Sequence, residues 1–115
     1  MWSSDYGRLA ALYVHAEVAL AVGELQAALA RIEQLRSCLA AQDGVPENAL
    51  LLEAVLAHLH AAVALALGNR TASDAAERRA AEIVLRLQPV ERRLITALAD
   101  ARRAARQAHE RYHND

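Results

Sequence analysis

Gly23 sits in the middle of the stretch 12–35, LYVHAEVALAVGELQAALARIEQL, and apolar side chains recur at three- and four-residue spacing on both sides of it. Residues 50–68 repeat the first half of that pattern and end on a second glycine, Gly68, followed by Asn69. Apolar residues at that period line one face of a helix. A glycine just past the last of them is a common helix stop, because it takes the left-handed conformation that closes the final turn. Only six residues are Gly or Pro, too few for the many turns of a sandwich. The fold class is therefore all-α: four to five antiparallel helices arranged as helical hairpins, either repeat-like or a compact bundle. The spacing predicts helices over about 4–22, 24–41, 47–67, 72–87 and 90–112 in a single domain, 1–115, near the commonest domain size.

Ser3 or Ser4 caps the first helix, and Asp5 faces its positive end. Leu9, Leu12, Tyr13, Ala16 and Leu20 form its inward stripe, but Val14, Val18 and Ala19 spread apolar surface nearly all round. Only Arg8, His15 and Glu17 interrupt it. The second helix has a narrower stripe of Leu25, Ala28, Leu29, Ile32, Leu35 and Leu39, opposite Gln26, Arg31, Glu33, Gln34 and Arg36. Residues 42–46, Gln-Asp-Gly-Val-Pro, read as a turn whose proline opens the third helix. That helix points Leu52, Val55, Leu56, Leu59, Val63 and Leu67 inward and is again apolar on most sides. Thr71 to Asp74 offer a capping-box start for the fourth, with Ala76, Ala80, Ile83, Val84 and Leu87 inward. Pro89 suits the first turn of the fifth, which is expected to bury Val90, Leu94, Leu98, Ala101, Ala105, Ala108 and Tyr112.

With 55% hydrophobic residues the chain can build a core, and with no Phe that core must be aliphatic and rich in Ala. The formal net charge of −1 argues against a general polycation for nucleic acid. Every basic residue is Arg. The lone cysteine, Cys38, allows no internal disulfide, as expected in a reducing compartment. His15 and Glu17 break the only apolar run near the N-terminus, so no secretory signal is read there. No run reaches the ~20 apolar residues that span a bilayer. The expectation is a cytoplasmic protein with no membrane partner.

Once placed, the helix pairs resemble tetratricopeptide-type repeats, which carry small residues in the first helix, Gly at the turn, Ala early in the second, and a closing Leu-x-Pro. The first pair shows Ala16, Ala19, Gly23-Glu24 and Ala28-Leu29; the second shows the Ala-rich 61–66, Gly68-Asn69 and then Leu87-Gln88-Pro89. The similarity covers about residues 9–89 and is closest in flavour to the repeat region of large LuxR-type bacterial activators. It implies a bacterial protein- or peptide-binding scaffold without chemistry of its own. Gly23 to Gly68 spans 45 residues, however, against 34 for this repeat, and two repeats are fewer than a solenoid needs. A compact bundle or a homodimer would supply the missing cover.

Residues 109–113 read His-Glu-Arg-Tyr-His, and on a helix that pattern sets two imidazoles one turn apart with a carboxylate between them. A zinc site needs a third ligand from elsewhere. His109 and His113 are the metal candidates of a chain otherwise read as having no metal and no cofactor. Arg103 with His109, or Arg106 with His113, also resembles the Arg-x(4–6)-His signature of the all-α HEPN ribonucleases, which implies an alternative activity on RNA, although Ala104 follows Arg103 where a polar residue is usual. His58 and His60, two apart, point in nearly opposite directions on a helix. Arg92, Arg93, Arg102, Arg103 and Arg106 make the fifth helix the most cationic surface, open to an acidic protein or, less favourably, a nucleic acid.

No set of residues forms a convincing catalytic constellation. The function expected is a non-enzymatic helical adaptor for a protein or peptide, self-associating as a homodimer. Helices one and three carry more apolar surface than one small domain covers. The expected contact residues are Tyr13, Val14, His15, Val18 and His58 with the arginines of the fifth helix.

Overall fold

The computed structural model describes residues 4–41 and 49–114. Five helices follow one another: α1 (Ser4–Ala21), α2 (Leu25–Ala40), α3 (Ala49–Ala66), α4 (Arg70–Val84) and α5 (Pro89–Asn114). No strand occurs among the described residues, so the fold is an all-α bundle. The expected caps Ser3 and Ser4 and the turn at 42–46 fall outside the described residues and side chains.

Gly23 breaks the first hairpin rather than interrupting one long helix. Its φ of 84° is the left-handed conformation glycine adopts without strain. Its N–H donates to Leu20 O at 3.2 Å, and the Glu24 N–H reaches back to Ala19 O at 2.8 Å. The second hairpin repeats this at Gly68 (φ 82°), with Gly68 N–H on Leu65 O at 3.0 Å and Asn69 N–H on Ala64 O at 2.9 Å. Both are Schellman closures, which satisfy carbonyls that the helix end would otherwise leave unpaired.

The fourth helix starts two residues earlier than its sequence suggests. Asn69 is the cap, its side-chain oxygen accepting from Ala72 N–H at 3.1 Å. Ser73, read as part of a capping box, is instead buried and donates its hydroxyl to Ala61 O at 2.9 Å. That bond crosses from α4 to α3, where Ala57, Ala61 and Ala64 face Ala76 and Ala80 and small side chains let the backbones approach. Pro89 opens α5 as expected, and Glu91 accepts from Gln88 N–H at 3.0 Å, completing half a capping box.

Helix α3 is the centre. Its Leu56, Leu59 and Val63 join Leu9, Ala16, Leu20, Ile32 and Leu35 in one core cluster. Its Ala54 joins Ile83, Leu87 and Ile95 in a second. Because α2, α4 and α5 all pack on it, a helix apolar on most sides has somewhere to put each of them. Toward its C-terminal end Leu65, and just past it Leu67, which was expected inward, are exposed.

Helix α5 lies in the groove between α1 and α3, turned by roughly one residue from its expected orientation. Val90, Leu94 and Tyr112 are exposed, as are Ala101, Ala105 and Ala108. Leu98 faces the bundle as expected, but its companions there are Ile95, Ala99 and Arg102. The apolar seam loses because Ile95 fills the second core cluster and Arg102 finds a carboxylate on α1.

Candidate functional site

The inward turn of α5 builds a polar cluster between α5 and α1. Arg102 donates to Glu17 of α1 through Nε to Oε1 at 2.7 Å and through Nη2 to Oε2 at 3.2 Å. The Tyr13 hydroxyl, one turn before Glu17, donates to the same Oε2 at 2.8 Å. The guanidinium side chain is 8% exposed and the carboxylate side chain 22%. Burial, then the hydrogen bond to Glu17 and its charge, pushes the Tyr13 phenol up to about 12, with Arg102 pulling the other way. Burial lowers the Arg102 pKa, yet the bond and charge of Glu17 outweigh it and hold the group above its ordinary value. A charge this enclosed needs such a partner. Glu17 accepts three hydrogen bonds here, one through Oε1 and two through Oε2, and so ties α5 to α1.

His58 and His60 leave α3 on different sides. Burial, then the nearby Arg102, lowers the His58 pKa, with Glu77 opposing. His60 lies 2.7 Å through Nδ1 from Arg36 Nη2 on α2, and burial followed by that cation lowers its pKa too. Both are half-buried and held toward the neutral form. For His60 this matches a ring nitrogen accepting from Arg36, whose Nη1 also lies 3.5 Å from Glu33.

The arginines of α5 do not form one continuous cationic face. Arg102 is buried against Glu17. Arg92 folds back on the α4–α5 turn, donating Nε to Leu87 O at 3.1 Å and Nη2 to Leu85 O at 3.4 Å. Arg103 is exposed and ion-paired with Asp100 one turn earlier. Arg93 is exposed and Arg106 half-buried. Arg103 and His109, six positions apart on one helix, lie about 120° apart around its axis. The side chain of His113 falls outside those described, and among the described residues no three His, Cys, Asp or Glu side chains gather in a metal-binding group.

Apart from a polar cleft of about 430 Å³ between Arg36, Glu53 and Arg79, two apolar surfaces stand out. At one end of the bundle a cavity of about 270 Å³ has aliphatic walls from Leu9, Leu35, Leu39, Leu51 and Leu94, with the Tyr13 ring beside them. The larger feature is the outer face of α1, opposite its buried Leu9, Ala16 and Leu20. Val14 is 54% exposed, Val18 56% and Val22 41%. His15, Val18 and Val22 form one wall of a groove of about 320 Å³ whose other wall is Glu24, Ala27 and Arg31. Periodicity set Tyr13 in the inward stripe and Val14 and Val18 outside it; it could not show that the Tyr13 hydroxyl enters a polar cluster, which takes Tyr13 out of the expected contact surface. Nor did any sequence signal mark Glu17 as the partner of Arg102, 85 residues away.

No helix among the described residues is long and apolar enough to cross a membrane. Comparison with family models, curated proteins and solved structures finds no match for the chain.

Proposed function

We propose that the protein is a non-enzymatic helical interaction scaffold in the cytoplasm that binds protein through the outer face of α1 and self-associates there. One observation carries the reading: Val14 and Val18 on α1, continued by Val22 in the turn after it, stand open at four-residue spacing while the opposite face of the helix is already buried. Scattered exposed apolar residues are ordinary, but a continuous strip along one helix is the usual signature of a helix-on-helix or helix-in-groove contact. The groove beside the strip gives a partner side chain a place to seat. The Tyr13–Glu17–Arg102 cluster fits a scaffold role, because its hydrogen bonds tie α1 to α5 on the side away from the valines. Light scattering over a concentration series tests the reading. A dimer is expected at tens of micromolar and should dissociate in Val14→Glu and Val18→Glu. A monomer at all concentrations that also recovers no protein partner would remove it.

A further inference from the structure

The outer face of α1 has a symmetry that points to its occupant. Residues 7, 11, 14, 18 and 21 alternate in spacing of four and three, the 3.5-residue period of a coiled-coil seam, on the side away from the core. Gly7, Ala11, Val14 and Val18 on this seam are all exposed, and a β-carbon added at Gly7 would touch nothing. Reversing the helix about residue 16 maps the four central seam positions onto one another, Val14 exchanging with 18 and Ala11 with 21, while Gly7 lies beyond this symmetric part. Charge follows the same exchange, since Arg8 lies eight positions before the centre and Glu24 eight after. Both side chains are exposed, and neither forms an ion pair among the described residues.

The flanks also agree. Antiparallel helices pair like with like flanks, so the two charges must lie on the same side of the seam. By helical angle Arg8 falls on the side of Ala19, which packs toward α2. Glu24, past the Gly23 turn, lines the α1–α2 groove with His15, Val18 and Ala19, on that same side.

We propose that the partner is a second copy of this chain, with α1 packed antiparallel on α1 about a two-fold axis at residue 16. Val14 then meets Val18 of the partner subunit, and Arg8 of each copy reaches the Glu24 carboxylate at the end of the other copy's groove. Such an interface is isologous and closes at two copies, so it does not propagate into a filament. The proposal rests on self-association through α1 and adds its direction and register.

Analytical ultracentrifugation of charge reversals tests it. Arg8→Glu and Glu24→Arg each turn two symmetric attractions into repulsions and should weaken the dimer about fivefold or more, from exposed ion-pair energies. The double variant re-forms both pairs with exchanged signs and should return within about twofold of the wild type by the same reasoning. Both positions are exposed, so circular dichroism should stay unchanged. A second measurement uses disulfide trapping in a Cys38→Ser background. Chains carrying Val14→Cys mixed with chains carrying Val18→Cys should cross-link to each other faster than either does to itself. A dimer in which the double variant fails to recover, or in which Val14→Cys chains link fastest to themselves, overturns the antiparallel register while leaving self-association intact. A wild-type monomer overturns both.

Discussion

Replacing Arg102 by methionine separates the two faces that α5 could turn inward. In the wild type its guanidinium is 8% exposed and makes two hydrogen bonds to a carboxylate that is 22% exposed. Removing one partner of a buried pair costs about 3–5 kcal/mol because the other charge is stranded. Water still reaches Glu17, and the Tyr13 hydroxyl still donates to it, so the expected loss is smaller, about 2–3 kcal/mol. For a domain of this size that lowers Tm by about 8–12 °C. Urea melts followed by far-ultraviolet circular dichroism give the free energy directly. Adding Glu17→Leu to Arg102→Met should recover at least half the loss, since no charge is then left unpaired. Ala101→Glu and Ala105→Glu, on the outward face, should each change stability by less than about 0.5 kcal/mol. If Arg102→Met proved neutral and the two alanine variants destabilised strongly, the alanine seam would be the inward face and the cluster with Glu17 would not exist.

Gly23→Ala and Gly68→Ala should each cost about 1–2 kcal/mol in denaturant melts, because both positions hold φ above 80° and the lost term is backbone strain, not packing. Tyr13 titrates near 12 when folded against about 10 when unfolded, so the folded state holds its proton longer. Stability is therefore full below about pH 10 and falls as pH rises toward 12, and Tyr13→Phe should flatten that alkaline limb of a pH–stability curve. The lowered pKa values of His58 and His60 act in the other direction: the unfolded chain takes up protons first as pH falls below about 6.5. Their contribution is present above that pH and lost below it, so His58→Gln with His60→Gln should shrink the fall in Tm between neutral and mildly acidic buffer.

The helices were legible because they depend on local rules. Gly23, Gly68 and Pro89 act within a few residues of themselves, and the stripe Ala28, Ile32, Leu35 repeats at the helical period. The apolar excess of the first helix was also legible, and the exposed Val14, Val18 and Val22 are where it comes to rest. The orientation of α5 was not. Its alanines and leucines give a plausible seam, and no local rule says that an arginine will point inward. That choice depends on Glu17, 85 positions earlier in the chain. The start of α4 slipped for a similar reason: Ser73 has the right chemistry for a cap, but an acceptor on α3 claims its hydroxyl. Tertiary partners override local preference at both positions, and at Arg102 the same override builds the polar cluster with Glu17.

The placement of α3 has a consequence for how the chain unfolds. Leu56, Leu59 and Val63 on one side and Ala54 on another commit the same helix to both core clusters. In a stacked repeat array, one hairpin can fray while its neighbour survives, since each buries its own faces. Here neither hairpin keeps its cluster if α3 leaves. The chain is expected to open in a single cooperative step, with the amides of 54–64 the last to exchange with solvent. Hairpins joined through one shared helix cannot be added or deleted singly, so length variation in such a chain would have to fall at its ends.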